Sequence, residues 1–106
     1  MNWRIIYYNE KVQNEIDSWP VSIRAVYAPI TERIVVFGPN LGMPFTRSIG
    51  DGLFEIRAKG REGIGRAFFC TVVGSKVMIL HSFIKKSQKT PAKELAIARR
   101  RMKEVS

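Results

Sequence analysis

The sequence predicts a single small α+β domain, an antiparallel sheet with an N-terminal helical hairpin and a C-terminal helix. Three observations carry this. Two apolar patterns with helical spacing follow one short β-branched and aromatic run near the N-terminus. Three longer strand-like runs, separated by Gly-containing turns, occupy the middle of the chain. A final helical pattern begins after Thr90 and Pro91. The resulting order, β-α-α-β-β-β-α, places helices early and late and strands mostly in sequence. Such an order favours an antiparallel sheet with helices on one face. A length of 106 residues suits one domain with its own core.

The first strand is WRIIYY, Trp3 to Tyr8. Asn9 then caps a helix through EKVQNEIDSW, in which Val12, Ile16 and Trp19 make one apolar face and Pro20 is the stop. A second helical pattern runs from about Val21 to Phe37, with Ile23, Val26, Ile30, Ile34 and Phe37 at helical spacing. Pro29 lies inside it, so a kink or a break is expected there. Together the two helices form an αα-hairpin. Gly38 to Pro44 is a turn cluster and a flexible stretch, and Gly50 and Gly52 bracket Asp51 before the next strand. LFEIRAK, RAFFCTVV and KVMILHSFIKK read as three strands joined by GREGIG and GS, turns short enough to make antiparallel neighbours. In TPAKELAIARRRMKEV, Thr90 suits the N-cap and Pro91 the first helical position, while Lys93 stands where a capping box needs Glu. Leu95, Ala98, Met102 and Val105 give this helix a narrow apolar stripe.

Composition excludes several classes. No apolar run approaches the roughly 20 residues of a membrane span, and MNWRIIYY lacks the features of a signal peptide, so a cytoplasmic location is the default. The single cysteine, Cys70 in AFFCTVV, reads as a small core residue. With one histidine and one cysteine there is no zinc-binding cluster, and neither a metal nor a cofactor is expected. The charge is more informative. Residues 1–52 hold five basic and five acidic side chains, whereas residues 53–106 hold thirteen basic against four acidic, the whole of the +9. Such asymmetry points to a polyanion, most often nucleic acid. The basic residues are threaded through strand-like runs, which would present them on a shaped surface.

Alternation along LFEIRAK puts Leu53, Glu55, Arg57 and Lys59 on one side, opposite the apolar set Phe54, Ile56 and Ala58. Arg57 and Lys59 then share an open face as a phosphate clamp; the plainer account is a solvated strand face on which Glu55 pairs with a neighbouring base. Arg66, opening the next strand, either joins that basic face or snorkels to water. His81 alternates with Val77, Ile79, Phe83 and Lys85, opposite Met78, Leu80, Ser82 and Ile84; the two sets are similarly apolar, so the pattern does not choose the open face. Lys85, Lys86 and Lys89 form a basic run before the last helix. Arg99, Arg100 and Arg101 occupy successive 100° steps on that helix and cannot all face one ligand. Tyr7, Tyr8, Phe68 and Phe69 could stack bases, although aromatics in strands more often fill cores.

The string GLFEIRAKGREGIGRAFFC, then ILHSFIKKSQKTP and a helix with ELAIARRR, resembles the phage-derived, HigB-like branch of the RelE/ParE toxin superfamily. The matching features are the strand Gly52 to Arg57, Arg66 opening the next strand, the aliphatic run ending in His81, then Phe83, Lys85, Lys86 and Gln88 to Pro91. They span about half the chain at motif level. The resemblance implies the toxin of a type II toxin–antitoxin pair, a metal-independent endoribonuclease that cuts mRNA on the ribosome. It also implies a cognate antitoxin, a helix-turn-helix DNA-binding protein. ParE-like relatives share the fold yet poison DNA gyrase without nuclease chemistry, so a protein-poisoning toxin and a non-catalytic nucleic-acid-binding module stay open as alternatives.

On the resemblance, Arg57, Lys59, Arg66 and His81 are the candidate catalytic residues. Metal-free cleavage uses the RNA 2′-OH as nucleophile and needs a base, charge neutralisation on the phosphorane and an acid for the leaving 5′ oxygen. Arg and Lys suit the neutralising task, a lysine among like charges can become a base, and His81 suits proton transfer. An arginine at the place of Arg66 commonly contacts the scissile phosphate in this superfamily. Lys85, Lys86, Lys89, Arg99, Arg100 and Arg101 are then candidates for contact with mRNA or ribosomal RNA.

Overall fold

The computed structural model describes residues 2–85 and 91–106. Eight elements follow in order: β1 (Arg4–Tyr7), α1 (Glu10–Asp17), α2 (Val21–Phe37), β2 (Thr46–Gly50), β3 (Leu53–Gly60), β4 (Gly63–Val72), β5 (Lys76–Lys85) and α3 (Ala92–Val105). The α+β class and the order of the expected elements hold. The addition is β2, TRSIG, whose polar residues hide it from any test of alternation. Among the described residues no helix is long and apolar enough to cross a membrane.

The helical hairpin forms as its residues demand. The Asn9 side chain accepts a 3.0 Å hydrogen bond from the Val12 amide, capping α1. Pro29 does not break α2, which runs from Val21 to Phe37; the proline is exposed, so its ring projects away from the sheet. Phe37 departs from the expected stripe and is exposed, whereas Ile23, Tyr27, Ile30 and Ile34 are buried.

The five strands lie in the order β1-β5-β4-β3-β2. Strands β2 to β5 pair antiparallel, while β1 pairs parallel with β5, Arg4 opposite Lys76 through Tyr7 opposite Ile79. The sheet is therefore mixed rather than antiparallel. A parallel pair needs a long crossover, and the whole hairpin and β2–β4 lie between its two strands. Beyond Ile79 strand β5 runs on past the end of β1, and there α1 approaches it: Ser82 Oγ donates to the Val12 carbonyl at 3.2 Å.

Helices cover both faces, not one. On the first face α1, α2 and the turn between them bury Ile56, Ala58, Ala67, Phe69, Val77 and Ile79 beneath Ile16, Trp19, Ile23, Ile30 and Ile34. Close approach is achieved at Gly65, where an added Cβ would lie 2.6 Å from the Trp19 ring. On the second face the stripe Leu95, Ala98, Met102 and Val105 of α3 meets Leu53, Phe68, Cys70 and Leu80. Charged residues of β3 and β4 lie on this same face, outside that apolar cluster.

Register decides which side chains those are. The β4–β5 ladder slips between Phe68 and Phe69, whose partners are His81 and Ile79, leaving Leu80 as the extra residue of a bulge. Simple alternation would set His81 with Val77 and Ile79. The bulge instead sends Val77 and Ile79 to the hairpin core, and Met78, Leu80 and Phe83 to the α3 core.

Candidate functional site

Directly opposed residues of an antiparallel ladder share a face. Three rows therefore cross the α3 face of the sheet. Arg47, Glu55, Phe68 and His81 form one, Arg57, Arg66 and Phe83 the next, and Lys59, Ile64 and Lys85 the third. The pairing thus brings Arg57, Lys59, Arg66, His81 and Lys85 to one face.

Glu55 is the centre of the cluster. Its carboxylate has no solvent exposure and lies 3.2 Å from Arg47 Nη2, 3.3 Å from Arg66 Nη1 and 3.9 Å from Arg57 Nε. Arg66 is likewise 0 % exposed, while the side chains of Arg57 and Arg47 are 19 % and 42 % exposed. The four residues thus form a graded series from core to water. Burial pushes the Arg66 guanidinium below the usual arginine range; Glu55 opposes this, and Arg57 and Arg47 reinforce it. Three guanidinium groups face one carboxylate, so the cluster keeps a positive excess that would draw in an anion. Glu55 pairs with neighbouring bases, as the plainer account of this strand has it, but in the core rather than on a solvated face, and Arg57 keeps part of its surface open.

Arg57 and Lys59 line an open hollow of about 210 Å³ together with Met43 and Pro44. Lys59 is exposed and Lys85 half-buried at the two ends of its row. Arg66 is on the same face but beneath the surface, without the access to solvent that direct phosphate contact requires.

His81 occupies different ground. Its Nε2 lies 2.7 Å from Glu94 Oε1 in the first turn of α3, and its ring stacks on Phe83 with centroids 5.9 Å apart. A carboxylate only accepts, so Nε2 donates and Nδ1 is left as an acceptor whenever the ring is neutral. His81 lines a second hollow, about 190 Å³, with Lys11, Val12, Glu15, Ser82 and Arg101. The four candidate catalytic residues thus share a face but not one concavity.

The three consecutive arginines of α3 diverge. Arg101 donates to the Leu80 carbonyl at 2.7 Å and lies over the Tyr8 ring at 4.7 Å. Arg99 reaches Asp51 at 3.8 Å, and Arg100 is exposed. Tyr8 itself hydrogen-bonds Glu104, and Phe68 and Phe69 are core residues. Lys86 and Lys89, with Gln88 and Thr90, lie outside the described residues.

Sequence reasoning passed over Arg47, Glu94, Met43 and Pro44. Arg47 belongs to β2, which no alternation marks, and Glu94 stands in the first turn of α3, where an acidic residue is an ordinary helix-start feature. Met43 and Pro44 sit in what read as a turn. Strand spacing marks Glu55 as a neighbour of Arg57 but does not show it as the hub of three arginines. Among the described residues there is no group of three or more His, Cys, Asp or Glu that could hold a metal ion.

Comparison with known families gives one assignment. The family model described as "Phage derived protein Gp49-like (DUF891)" matches residues 14–103. No curated protein matches the chain. The match takes in the second half of α1, all of α2, strands β2 to β5 and most of α3. The chain belongs to the phage-derived Gp49-like family, a toxin-like family of toxin–antitoxin systems.

Proposed function

We propose that this Gp49-like chain is the toxin of a type II toxin–antitoxin pair and acts as a metal-independent, ribosome-dependent mRNA endonuclease. The observation that supports the reading best is the cationic face of the sheet, where Arg57 and Lys59 open on a hollow and Glu55 and Arg66 stand behind them. Its partners on this reading are mRNA, the ribosome and a cognate antitoxin of the helix-turn-helix DNA-binding class.

The reaction is transesterification. The RNA 2′ oxygen attacks the adjacent phosphorus, a phosphorane forms, and the P–O5′ bond breaks to leave a 2′,3′-cyclic phosphate and a 5′-hydroxyl. Arg57 and Lys59 take the phosphorane charge, Arg as a fork and Lys as a mobile point charge. Arg66, shut from solvent, acts through Glu55 and the arginine cluster as a positioning residue. His81, oriented by Glu94, moves a proton through Nδ1, and a lysine of the same face takes the opposite proton-transfer role.

The test is to induce the chain in cells and map new 5′ ends across mRNAs, with Arg57→Ala as the control. New ends within translated codons that vanish in the control support the reading. One observation favours a same-fold toxin that poisons a protein such as DNA gyrase: the face is divided, with His81 in a hollow apart from Arg57 and Lys59. Growth arrest without new mRNA ends would select that alternative.

A further inference from the structure

The loop before β2 is built rather than slack. The Phe45 and Thr46 amides both donate to the Gly42 carbonyl, at 3.1 and 3.0 Å, and the Gly42 amide donates to Thr46 Oγ1 at 3.0 Å. The Arg57 amide donates to the Phe45 carbonyl at 3.1 Å, fastening the loop to the strand that carries the phosphate clamp. Arg33 lies 5.3 Å over the Phe45 ring and pins it from the side of α2. Yet at the tip of this fixed loop Met43 is 56 % exposed and Pro44 is exposed too. Two apolar side chains are thus held out to water, and they wall the same hollow as Arg57 and Lys59.

An apolar wall beside paired cations matches one chemical class, a nucleotide, which is a flat apolar face joined through a sugar to an anion. On the reading that this chain acts on RNA, we propose that Met43 and Pro44 form a base subsite for single-stranded RNA, next to the phosphate held by Arg57 and Lys59. The base lies against the Met43 thioether and the Pro44 ring. Neither side chain has a hydrogen-bond donor to read a base edge, so the subsite selects by contact area. It accepts every base and favours the larger purine face, as stacking platforms for single strands do.

The probe is an oligoadenylate of six nucleotides carrying 2′-O-methyl groups, which block cleavage, with inorganic phosphate as the comparison. Affinity is read by calorimetry, and the Met43 methyl group is followed by NMR. The wild type is expected to bind the oligonucleotide with a shifted Met43 methyl resonance. Met43→Ala is expected to lose about five- to tenfold in affinity, the low end of what one stacked base contributes. Met43→Leu restores most of it, and inorganic phosphate binds both variants like the wild type. Equal oligonucleotide affinity for wild type and Met43→Ala, or a Met43 methyl that does not respond, overturns the subsite. The nuclease reading fails separately: a wild type that binds the blocked oligonucleotide at Met43 but cuts no mRNA keeps the subsite and loses the reaction.

Discussion

Glu55 and Arg66 lie 3.3 Å apart with both side chains wholly withdrawn from solvent. A buried pair of this kind adds little net stability over an apolar pair of the same shape, because desolvation offsets attraction. Its importance is that neither partner tolerates the loss of the other.

Glu55→Gln is therefore expected to destabilise the fold by about 3–5 kcal/mol, the usual cost of stranding a buried charge. Urea unfolding followed by tryptophan fluorescence measures it. The double variant Glu55→Gln/Arg66→Met should lose clearly less than the two single changes added together. Additive losses would mean that the pair is not coupled.

Cleavage should divide the basic residues by exposure. Arg57→Ala and Lys59→Ala are expected to leave the fold intact and to slow single-turnover cleavage by about a hundredfold or more, as loss of a phosphorane stabiliser does. Arg66→Ala is expected to lose stability as well as rate. Unfolding curves beside rate constants for the three variants check this, and an Arg66→Ala protein with wild-type stability would contradict the burial argument.

His81→Ala should remain folded and lose cleavage by about a hundred- to ten-thousandfold, the range of acid–base catalysis. Glu94→Gln should change the rate in the same direction but less, since it removes only the partner that orients Nε2. A fully active His81→Ala protein would remove the histidine from the mechanism.

Alkaline pH offers a test of the core that is independent of activity. Burial, with Tyr7 close by, pushes the Tyr27 hydroxyl well above its ordinary value of 10.0. The folded state keeps Tyr27 protonated while the unfolded chain ionises it. Its contribution to stability is therefore complete below about pH 10 and falls as pH rises further, by up to about 1.4 kcal/mol per unit. Burial raises the Cys70 thiol above 9.0 in the same sense, so a shallower decline begins earlier. Tyr27→Phe should flatten the slope of unfolding free energy above pH 10 relative to wild type, and an unchanged slope would count against its burial as a neutral phenol.

Salt should weaken ribosome or RNA binding steeply, because each phosphate neutralised by residues 53–106 releases counterions. Lys59→Ala should reduce the slope of log affinity against log salt by about 0.7, the single-strand value for one contact. A flat response in the wild type would remove the electrostatic basis of the reading.

What the chain's own sequence determined is local. Asn9 caps α1 because its side chain reaches an amide three residues on, and Ile23, Ile30 and Ile34 mark α2 by helical spacing. Alternation in LFEIRAK places Arg57 and Lys59 together and Ile56 and Ala58 under the hairpin, and the charge imbalance marks the basic half. Tertiary structure decided everything that depends on which strands pair. The short polar strand β2 exists because β3 offers it a ladder, and that pairing brings Arg47 to Glu55. The parallel β1–β5 pair and the second helical layer come from contacts between distant parts of the chain, which no local period encodes. The bulge at Leu80 turns His81 to the basic face, and α3 then sets Glu94 against it. Burial of Arg66 has the same origin. An arginine in a strand reads alike whether it meets water or a buried carboxylate, and only the packed sheet supplies Glu55 as its neighbour.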